Sequence, residues 1–363
     1  AFYGCKKLTS ITMADSVTTL DAATGGQFNG CDGVLRIALS AGLTELPKQC
    51  FMNARSLIEL PDLKNVTSIG RSCFQHMDSA ISITIPASVT YLGDNAFAYA
   101  DVLESVTVLG NPEFGKSTFS YDLALTSFNA PNVTTIGEEL LKNCTALKTF
   151  TVPDRVSFIG KNAFGNCSAL ESIIFPATYS AETLSFGLTP LYNCKAFKGF
   201  VVEEGANVKT DETGALYTAD GKVLALLAPS FSGTSFAVPE GVETIGSGVF
   251  YNMTKLTSVT FPSTLKNIGD YAFYKCALTK AELPDSIETI GNNAFDTCAS
   301  LTSVTFGANL ISIGEYAFNK CAKLTAAEFG PALKTIGARA FSNCTKIAKF
   351  SVQEGLESIG NDA

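Results

Sequence analysis

Apolar residues recur at fixed spacing along the whole chain. The pattern is Leu-x-x-Val-x-Phe followed by Ile-Gly-x-x-Ala-Phe-x-x-Cys, and it is clearest between Leu301 and Cys321. It returns about every 23 residues, which predicts a stacked array in which each repeat contacts its neighbours. We number positions within a repeat from the Ile of its second half, which is position 0. The equivalent residues are Leu20, Leu46, Ile69, Leu92, Phe114, Ile136, Ile159, Phe186, Ile245, Ile268, Ile290, Ile313, Ile336 and Ile359.

The two halves of the repeat predict different elements. In the first half, apolar residues alternate with polar ones, which is typical of a short strand with one buried face. In the second half, apolar residues at positions 0, +4, +5 and +8 share one face of a helix. A helix of about two turns is not stable alone, so packing must hold it. The predicted fold class is an α/β-type repeat solenoid, with a parallel sheet of short strands on one face and short helices or turns on the other.

A glycine follows position 0 in most repeats, for example Gly314. Pro47 occupies the same position in another repeat, and proline cannot adopt a positive φ. We therefore expect the glycine to permit close backbone approach at a helix start, where proline is also at home. Acidic residues one place later, such as Asp94 and Asp270, suit the positive end of a helix.

The array is interrupted once, between Phe186 and Ile245, where the step is 59 residues. Asp220-Gly221 stands between two apolar runs there, and this dipeptide is a strong signal for a β-hairpin at about 213–229. The predicted organisation is an N-terminal repeat sub-array at 1–202, an irregular β-hairpin insertion at 203–235 and a C-terminal sub-array at 236–363, all within one continuous solenoid.

The serial repeat resembles the BspA-like leucine-rich repeat family of bacterial surface proteins. The run Gly214–Lys222 is similar to an interruption common in that family. The resemblance implies a leucine-rich-repeat-like solenoid and a secreted or cell-surface protein, some members being adhesins for host matrix proteins or other bacteria. It implies no catalytic residues.

Composition and net charge exclude some classes of binding partner. The chain is 46% hydrophobic and carries a net charge of −8, which speaks against nucleic acid and against an anionic membrane surface. No apolar run approaches the roughly 18–20 residues of a membrane span, so we expect no membrane insertion. The repeat is already under way at Ala1 and still under way at Ala363. We therefore expect the natural protein to extend past both ends, with any signal or anchor outside this chain.

Eleven cysteines invite a disulfide or metal interpretation, but nine of them lie at position +8 of a repeat. Ala and Met replace Cys there in other repeats, so we predict buried free thiols. There is no C-x-x-C pair and only one histidine, His76, which leaves little from which to build a metal site or a catalytic triad. We predict no cofactor, no metal, no catalytic residues and no enzymatic activity.

The candidate binding residues are those that must face outward from the strands, where stacking would produce ladders of hydroxyl groups. An exposed strand also favours such residues for structural reasons alone. The speculative partner-binding set is Thr84, Thr107, Thr151, Thr260, Glu282, Thr305, Glu328 and, in the hairpin, Tyr217.

The predicted function is a non-catalytic adhesin or other interaction protein, extracellular or at the cell surface. It would bind a protein partner, such as a host matrix or other cell-surface protein, through its sheet face. Two alternatives are a glycan-binding module, which would usually show exposed aromatic platforms, and a passive spacer presenting another domain. Tyr217 and the hairpin could equally serve to cover the core at the break.

Overall fold

The computed structural model describes residues 2–363, which contain strands and turns and no helix. The chain forms two compact units. The first unit ends at Asn207, and the second is Val208–Ala363.

The first unit contains fifteen short strands. They are β1 (Ser10–Thr12), β2 (Arg36–Ala38), β3 (Glu45–Leu46), β4 (Ser68–Ile69), β5 (Ser82–Ile85), β6 (Tyr91–Leu92), β7 (Ser105–Val108), β8 (Glu113–Phe114), β9 (Ser127–Asn129), β10 (Thr135–Ile136), β11 (Thr149–Thr151), β12 (Phe158–Ile159), β13 (Ser172–Phe175), β14 (Ser185–Phe186) and β15 (Gly199–Val202).

The second unit also contains fifteen. They are β16 (Val208–Thr210), β17 (Ala215–Thr218), β18 (Val223–Leu227), β19 (Ser235–Ala237), β20 (Thr244–Ile245), β21 (Ser258–Thr260), β22 (Asn267–Ile268), β23 (Lys280–Glu282), β24 (Thr289–Ile290), β25 (Ser303–Thr305), β26 (Ser312–Ile313), β27 (Ala326–Glu328), β28 (Thr335–Ile336), β29 (Lys349–Ser351) and β30 (Ser358–Ile359).

Most repeats supply a first strand, from the Leu-x-x-Val-x-Phe half, and a second strand that ends at position 0. Strands pair in parallel with the equivalent strands of the next repeat. Thus Ile313 lies opposite Ile336 and Val259 lies opposite Phe236. In the first unit the sheets are β1-β2, β5-β7-β9 and β11-β13-β15 for first strands, and β3-β4-β6-β8 and β10-β12-β14 for second strands. In the second unit, first strands pair as β19-β21, β23-β25 and β27-β29.

The hairpin predicted at the break is present. Strands β17 and β18 are antiparallel, with a register shift between Leu216 and Tyr217. Strand β18 then pairs in parallel with β20, so the hairpin opens a nine-stranded sheet of order β16-β17-β18-β20-β22-β24-β26-β28-β30. Ala215, Leu224 and Leu227 belong to the core of the second unit. The hairpin therefore forms the first layer of that unit and covers its apolar interior.

The prediction of short helices was wrong. The segment that follows each second strand is a series of turns, in which positions +3 and +7 adopt left-handed φ, as Tyr316 (55°) and Lys320 (58°) show. An α-helix requires negative φ throughout. Alternate N–H groups bond to the next repeat instead of along the segment: Phe318 N–H donates to the carbonyl of Ala340 at 2.7 Å. Each turn segment thus stacks on its neighbour much as a strand does.

Asparagine at position +7 is a sequence feature that could have predicted the left-handed turn. The residue at +7 is the third residue of a turn closed by a bond from the +8 N–H to the +5 carbonyl, for example Cys344 to Phe341 at 3.1 Å. A left-handed residue at this place is characteristic of a type II turn, and asparagine tolerates that conformation better than most residues. Asparagine occupies this position in six repeats: Asn53, Asn143, Asn166, Asn193, Asn252 and Asn343.

The glycine after position 0 does permit close backbone approach, as predicted, although at a turn and not at a helix start. A Cβ placed on Gly314 would lie 2.6 Å from the backbone N of Asn292 and 2.6 Å from the carbonyl carbon of Gly291. The acidic residues one place later have a role other than the predicted one. Asp270 accepts a hydrogen bond at 2.7 Å from the Asn292 N–H of the next repeat, so it joins layers.

The core is a column of stacked rings and thiols. Phe273, Phe295 and Phe318 stack at centroid distances of 4.9 and 5.0 Å. Beside them the buried Cys298 thiol donates to the carbonyl of Phe273 at 3.0 Å, and Cys321 repeats this contact with Phe295 at 3.2 Å. Most cysteines are buried, as predicted, and burial raises the pKa of the Cys276 and Cys73 thiols to about 12. The exceptions are Cys5, which is exposed, and Cys344, which is half-buried.

Candidate functional site

The outward side of the first strands, which we call the first-strand face, carries seven of the eight predicted binding residues. In the first unit Thr84 and Thr151 are exposed and Thr107 is half-buried. In the second unit Thr260, Glu282, Thr305 and Glu328 are all exposed. Inward-facing residues between them, such as Ile83 (4% exposed), hold the strands against the core.

The predicted hydroxyl ladders are short. Thr84 lies opposite Thr107, but the next residue in register is Asn129. In the second unit Thr260 lies opposite Ala237, and Thr305 lies opposite Glu282. The first-strand face is therefore a mixture of hydroxyl, methyl and carboxylate groups.

The threonine hydroxyls of the first-strand face form no hydrogen bond with any other residue that the structure describes. Within residues 2–363, the side chains of Thr84, Thr107, Thr151, Thr260 and Thr305 make no hydrogen bond. Threonines at the bend before the first strand behave differently. Thr302 donates its hydroxyl to the carbonyl of Thr279 at 2.9 Å, and Thr325 donates to Thr302 at 3.2 Å. The bend threonines brace the stack, whereas those on the first-strand face have their hydrogen-bonding capacity free.

On the outward side of the second strands, acidic and basic side chains form salt bridges with one another. Glu243 lies between two lysines, with its carboxylate 3.0 Å from Lys222 Nζ and 2.9 Å from Lys266 Nζ. Further along, Lys334 and Glu357 form another pair at 2.6 Å. Such exposed pairs add little stability, but they satisfy each other and leave fewer groups for a partner.

Tyr217, the eighth predicted residue, lies inside the protein and not on its surface. It is 4% exposed and belongs to the core of the second unit. Its hydroxyl donates a hydrogen bond to Asp211 Oδ2 at 2.8 Å. The register shift in the hairpin accompanies this inward position, which alternation along the strand did not reveal.

A buried carboxyl group that the repeat pattern did not single out lies at Asp122. It occupies position +8, where most repeats have Cys, and it is fully buried. Its Oδ1 accepts a hydrogen bond from the N–H of Ala100 at 2.9 Å, whereas its Oδ2 has no partner among residues 2–363. Burial raises the pKa of this carboxyl well above its usual range against the lowering effect of the Ala100 bond, and the charge of Asp101 raises it further.

Replacing Asp122 by Cys should stabilise the protein near pH 7.5 by about 1–3 kcal/mol, because an unpartnered buried oxygen is removed. The native carboxyl has a raised pKa, so protonation favours the folded state. The stability that Asp122 gains from being protonated in the folded protein is fully present below the unfolded-state pKa. It is lost as pH rises through the folded-state pKa. The advantage of Asp122→Cys should therefore shrink toward pH 4. Urea unfolding across this range measures it, with exposed Asp15→Asn as the control; parallel pH profiles for wild type and D122C would contradict it.

Aromatic side chains stack on one another along the turn segments, at positions that the sequence analysis did not single out. In the first unit Tyr99 and Tyr121 stack at 4.6 Å, with His76 5.1 Å beyond Tyr99. In the second unit Tyr251 and Tyr274 stack at 4.9 Å. These side chains follow one another at equivalent positions, so their ring faces are largely turned toward each other.

Among residues 2–363, no group of three or more His, Cys, Asp or Glu side chains is arranged to hold a metal ion. Over the same residues, no helix has the length and apolar character that a membrane span requires.

Parallel strands, stacked turns and, within each unit, a run of stacked Phe rings define a parallel-strand solenoid of the leucine-rich repeat type. The chain belongs to the BspA type leucine rich repeat family, whose sequence profile matches residues 1–121, 112–207 and 228–348 in six copies. No curated protein sequence matches this chain.

Two solved structures show the likeness in fold. A leucine-rich repeat protein from Eubacterium ventriosum is 20% identical with a TM-score of 0.52, over 97% of this chain and 87% of that one. A leucine rich cell surface protein from Faecalibacterium prausnitzii is 23% identical with a TM-score of 0.50, over 97% of this chain and 82% of that one. At these identities the similarity concerns the fold alone.

Proposed function

We propose that this protein is a cell-surface or secreted interaction protein that binds another protein through its first-strand face. The observation that carries the proposal is the set of exposed threonines whose hydroxyls bond to nothing within residues 2–363, while other threonines of the same repeats bond to backbone carbonyls. A rigid, repeated face with free hydrogen-bonding groups is the kind of surface that solenoid proteins use for binding.

Family membership and a relative in fold support the same proposal. The chain belongs to the BspA type leucine rich repeat family, and a relative in fold is described as a cell surface protein. The proposal therefore includes an extracellular or cell-surface location and a role in binding without catalysis. A host matrix protein or another cell-surface protein is the class of partner proposed.

Two substitutions test the proposal. Thr260→Arg combined with Thr305→Arg should weaken binding to a responsive protein in a panel of purified extracellular matrix proteins by about tenfold or more, because two bulky cations would occupy the contact surface. Biolayer interferometry gives the affinity. Circular dichroism should show an unchanged fold, since both side chains are exposed.

The matched control places the same substitutions on second strands. Thr135→Arg and Thr335→Arg add the same charge away from the first-strand face. If these variants reduce binding as much as Thr260→Arg and Thr305→Arg do, or if none of the matrix proteins binds the wild-type chain, the proposal is wrong.

A further inference from the structure

Five lysines of the second unit lie where each coil leaves its turn segment and approaches the first strand. We call this set the lysine corner: Lys255, Lys275, Lys320, Lys323 and Lys346. They occupy positions +7 and +10 of their repeats, and all five are exposed. Position +8 between them is the inward Cys or Met, and a bond from Leu324 N–H to the Cys321 carbonyl at 3.0 Å closes the bend. The bend therefore directs +7 and +10 outward at the same edge of the coil.

Backbone contacts place these lysines in one row. Lys275 N–H donates to the carbonyl of Asp296, Thr297 N–H to Asn319, and Lys320 N–H to Ser342, at 2.8–2.9 Å. Consecutive repeats are thus stacked directly at this edge. The Phe rings of the same repeats are spaced at 4.9–5.1 Å. Four such steps separate the first lysine from the last, so the row is about 20 Å long.

The lysine corner carries uncompensated positive charge. None of its five lysines forms a salt bridge within residues 2–363, whereas Lys222, Lys266 and Lys334 of the same unit all do. Asp296 is the acid at this edge, and it is only 8% exposed. Its Oδ1 accepts hydrogen bonds from Asn319 Nδ2 at 3.0 Å and from the Thr297 hydroxyl at 2.8 Å. The row is thus basic in a chain whose net charge is −8.

The first unit lacks this feature, so the repeat does not require it. Its residues at positions +7 and +10 are Gly, Asn, His, Tyr, Ser, Val and Ala, with Lys7 as the single basic residue, so no row of lysines forms there. The lysines are therefore additions to the second unit beyond what stacking demands. A clustered charge of one sign raises the local concentration of oppositely charged ligands.

From this row we infer a binding site for an acidic linear polysaccharide along the lysine corner. In two of these repeats acids flank the row on both sides: Asp270 and Glu315 lie early in the turn segments, and Glu282 and Glu328 lie on the first strands, where Glu328 also pairs with Lys349 at 2.8 Å. A narrow basic strip between acidic groups suits a thin chain bearing sulfate or carboxylate groups. It suits a broad nucleic-acid duplex or a flat anionic membrane less well, because both would meet the acids.

One contact within the corner adds to this surface. Lys275 Nζ lies over the Tyr274 ring, 5.2 Å from its centre, so the face of the ring helps to position the ammonium group. The ligand class rests on the proposed extracellular function, since that is where such polymers are met. The surface itself is distinct from the first-strand face.

Binding of the full chain to immobilised heparin, a sulfated polysaccharide, tests the inference. The variant Lys320→Gln/Lys323→Gln/Lys346→Gln should bind at least about tenfold more weakly, and wild-type affinity should fall steeply between 50 and 200 mM salt, as expected when lysines displace counterions. The control is Lys148→Gln/Lys161→Gln/Lys195→Gln, which removes three exposed lysines of the first unit that lie outside positions +7 and +10 and should retain wild-type affinity.

Further probes identify the acidic group and the class. Hyaluronan carries carboxylates alone, so binding to it would assign a uronic-acid polymer, and binding to heparin only would assign a sulfated one. Binding to neither, or equal losses in the two triple variants, would overturn the site. Duplex DNA bound more tightly than either polysaccharide would overturn the ligand class. Loss of polysaccharide binding with intact matrix-protein binding separates this site from the proposed function.

Discussion

Replacing Phe295 by Ala should destabilise the second unit by about 3–5 kcal/mol, the range for removing a large buried aromatic side chain. Phe295 is fully buried and stacks on Phe273 at 4.9 Å and on Phe318 at 5.0 Å. The cavity would interrupt the column at its middle, and the turn segments, which lack internal helical bonding, have little means of closing it. Urea unfolding followed by circular dichroism measures the loss.

Phe350→Ala is the matched control. This ring is 48% exposed and meets Phe329 edge-on at 5.8 Å. We expect its loss to cost less than about 1 kcal/mol, because little buried area disappears. Equal effects of F295A and F350A would mean that the column is not the principal source of stability in this unit.

Replacing Gly314 by Ala should destabilise the second unit by about 1–3 kcal/mol or more, as overpacking does. The added methyl would lie 2.6 Å from two backbone atoms of the preceding repeat, and backbone cannot swing aside as a flexible side chain would. The φ of Gly314 is not in the left-handed region, so the expected cost is steric and not conformational. The thermal midpoint and the urea unfolding free energy should both fall.

Gly199→Ala separates close approach from any general effect of removing glycine. No atom lies within 4 Å of a Cβ built on Gly199, and its φ is also outside the left-handed region. This substitution should change stability by no more than about 0.5 kcal/mol. A large loss in G199A, or none in G314A, would contradict the close-packing explanation.

Much of the fold was predictable from residue types at fixed spacing. The period set which residues stack, and the observed register pairs such as Ile313 with Ile336 agree with it. Pro47 in place of Gly pointed to close approach and away from left-handed φ, and the distances around Gly314 bear this out. Asp220-Gly221 located the hairpin, whose strands β17 and β18 pair as expected.

The turn segments show where sequence reasoning ended. Apolar residues at 0, +4, +5 and +8 indicate which side faces the core, and both a helix and a stacked turn satisfy that spacing. The two differ in whether a group such as the Phe318 N–H bonds along its own segment or to Ala340 of the next repeat. The left-handed residues at +3 and +7 favour the second arrangement.

For the candidate sites too, the spacing of residues predicted which side chains face outward, and contacts between layers decided the rest. Outward positions such as Thr260 and Thr305 were predictable from alternation, since a strand exposes every second residue. Whether a given hydroxyl is free or donates to a neighbour, as that of Thr302 does, depends on the distance between layers. Tyr217 went inward because the hairpin register shifts beside it, a feature absent from local alternation.

The sequence by itself thus determined the period, the stacking register, the buried Phe and Cys columns and the location of the break. Each of these follows from local residue types repeated along the chain. Only the tertiary structure decided that backbone bonds run between repeats, that Asp122 lies buried with an unpartnered oxygen and that five lysines of the second unit form one row. The physical reason is that these features depend on contacts between residues about 23 positions apart, which exist only once the layers have stacked.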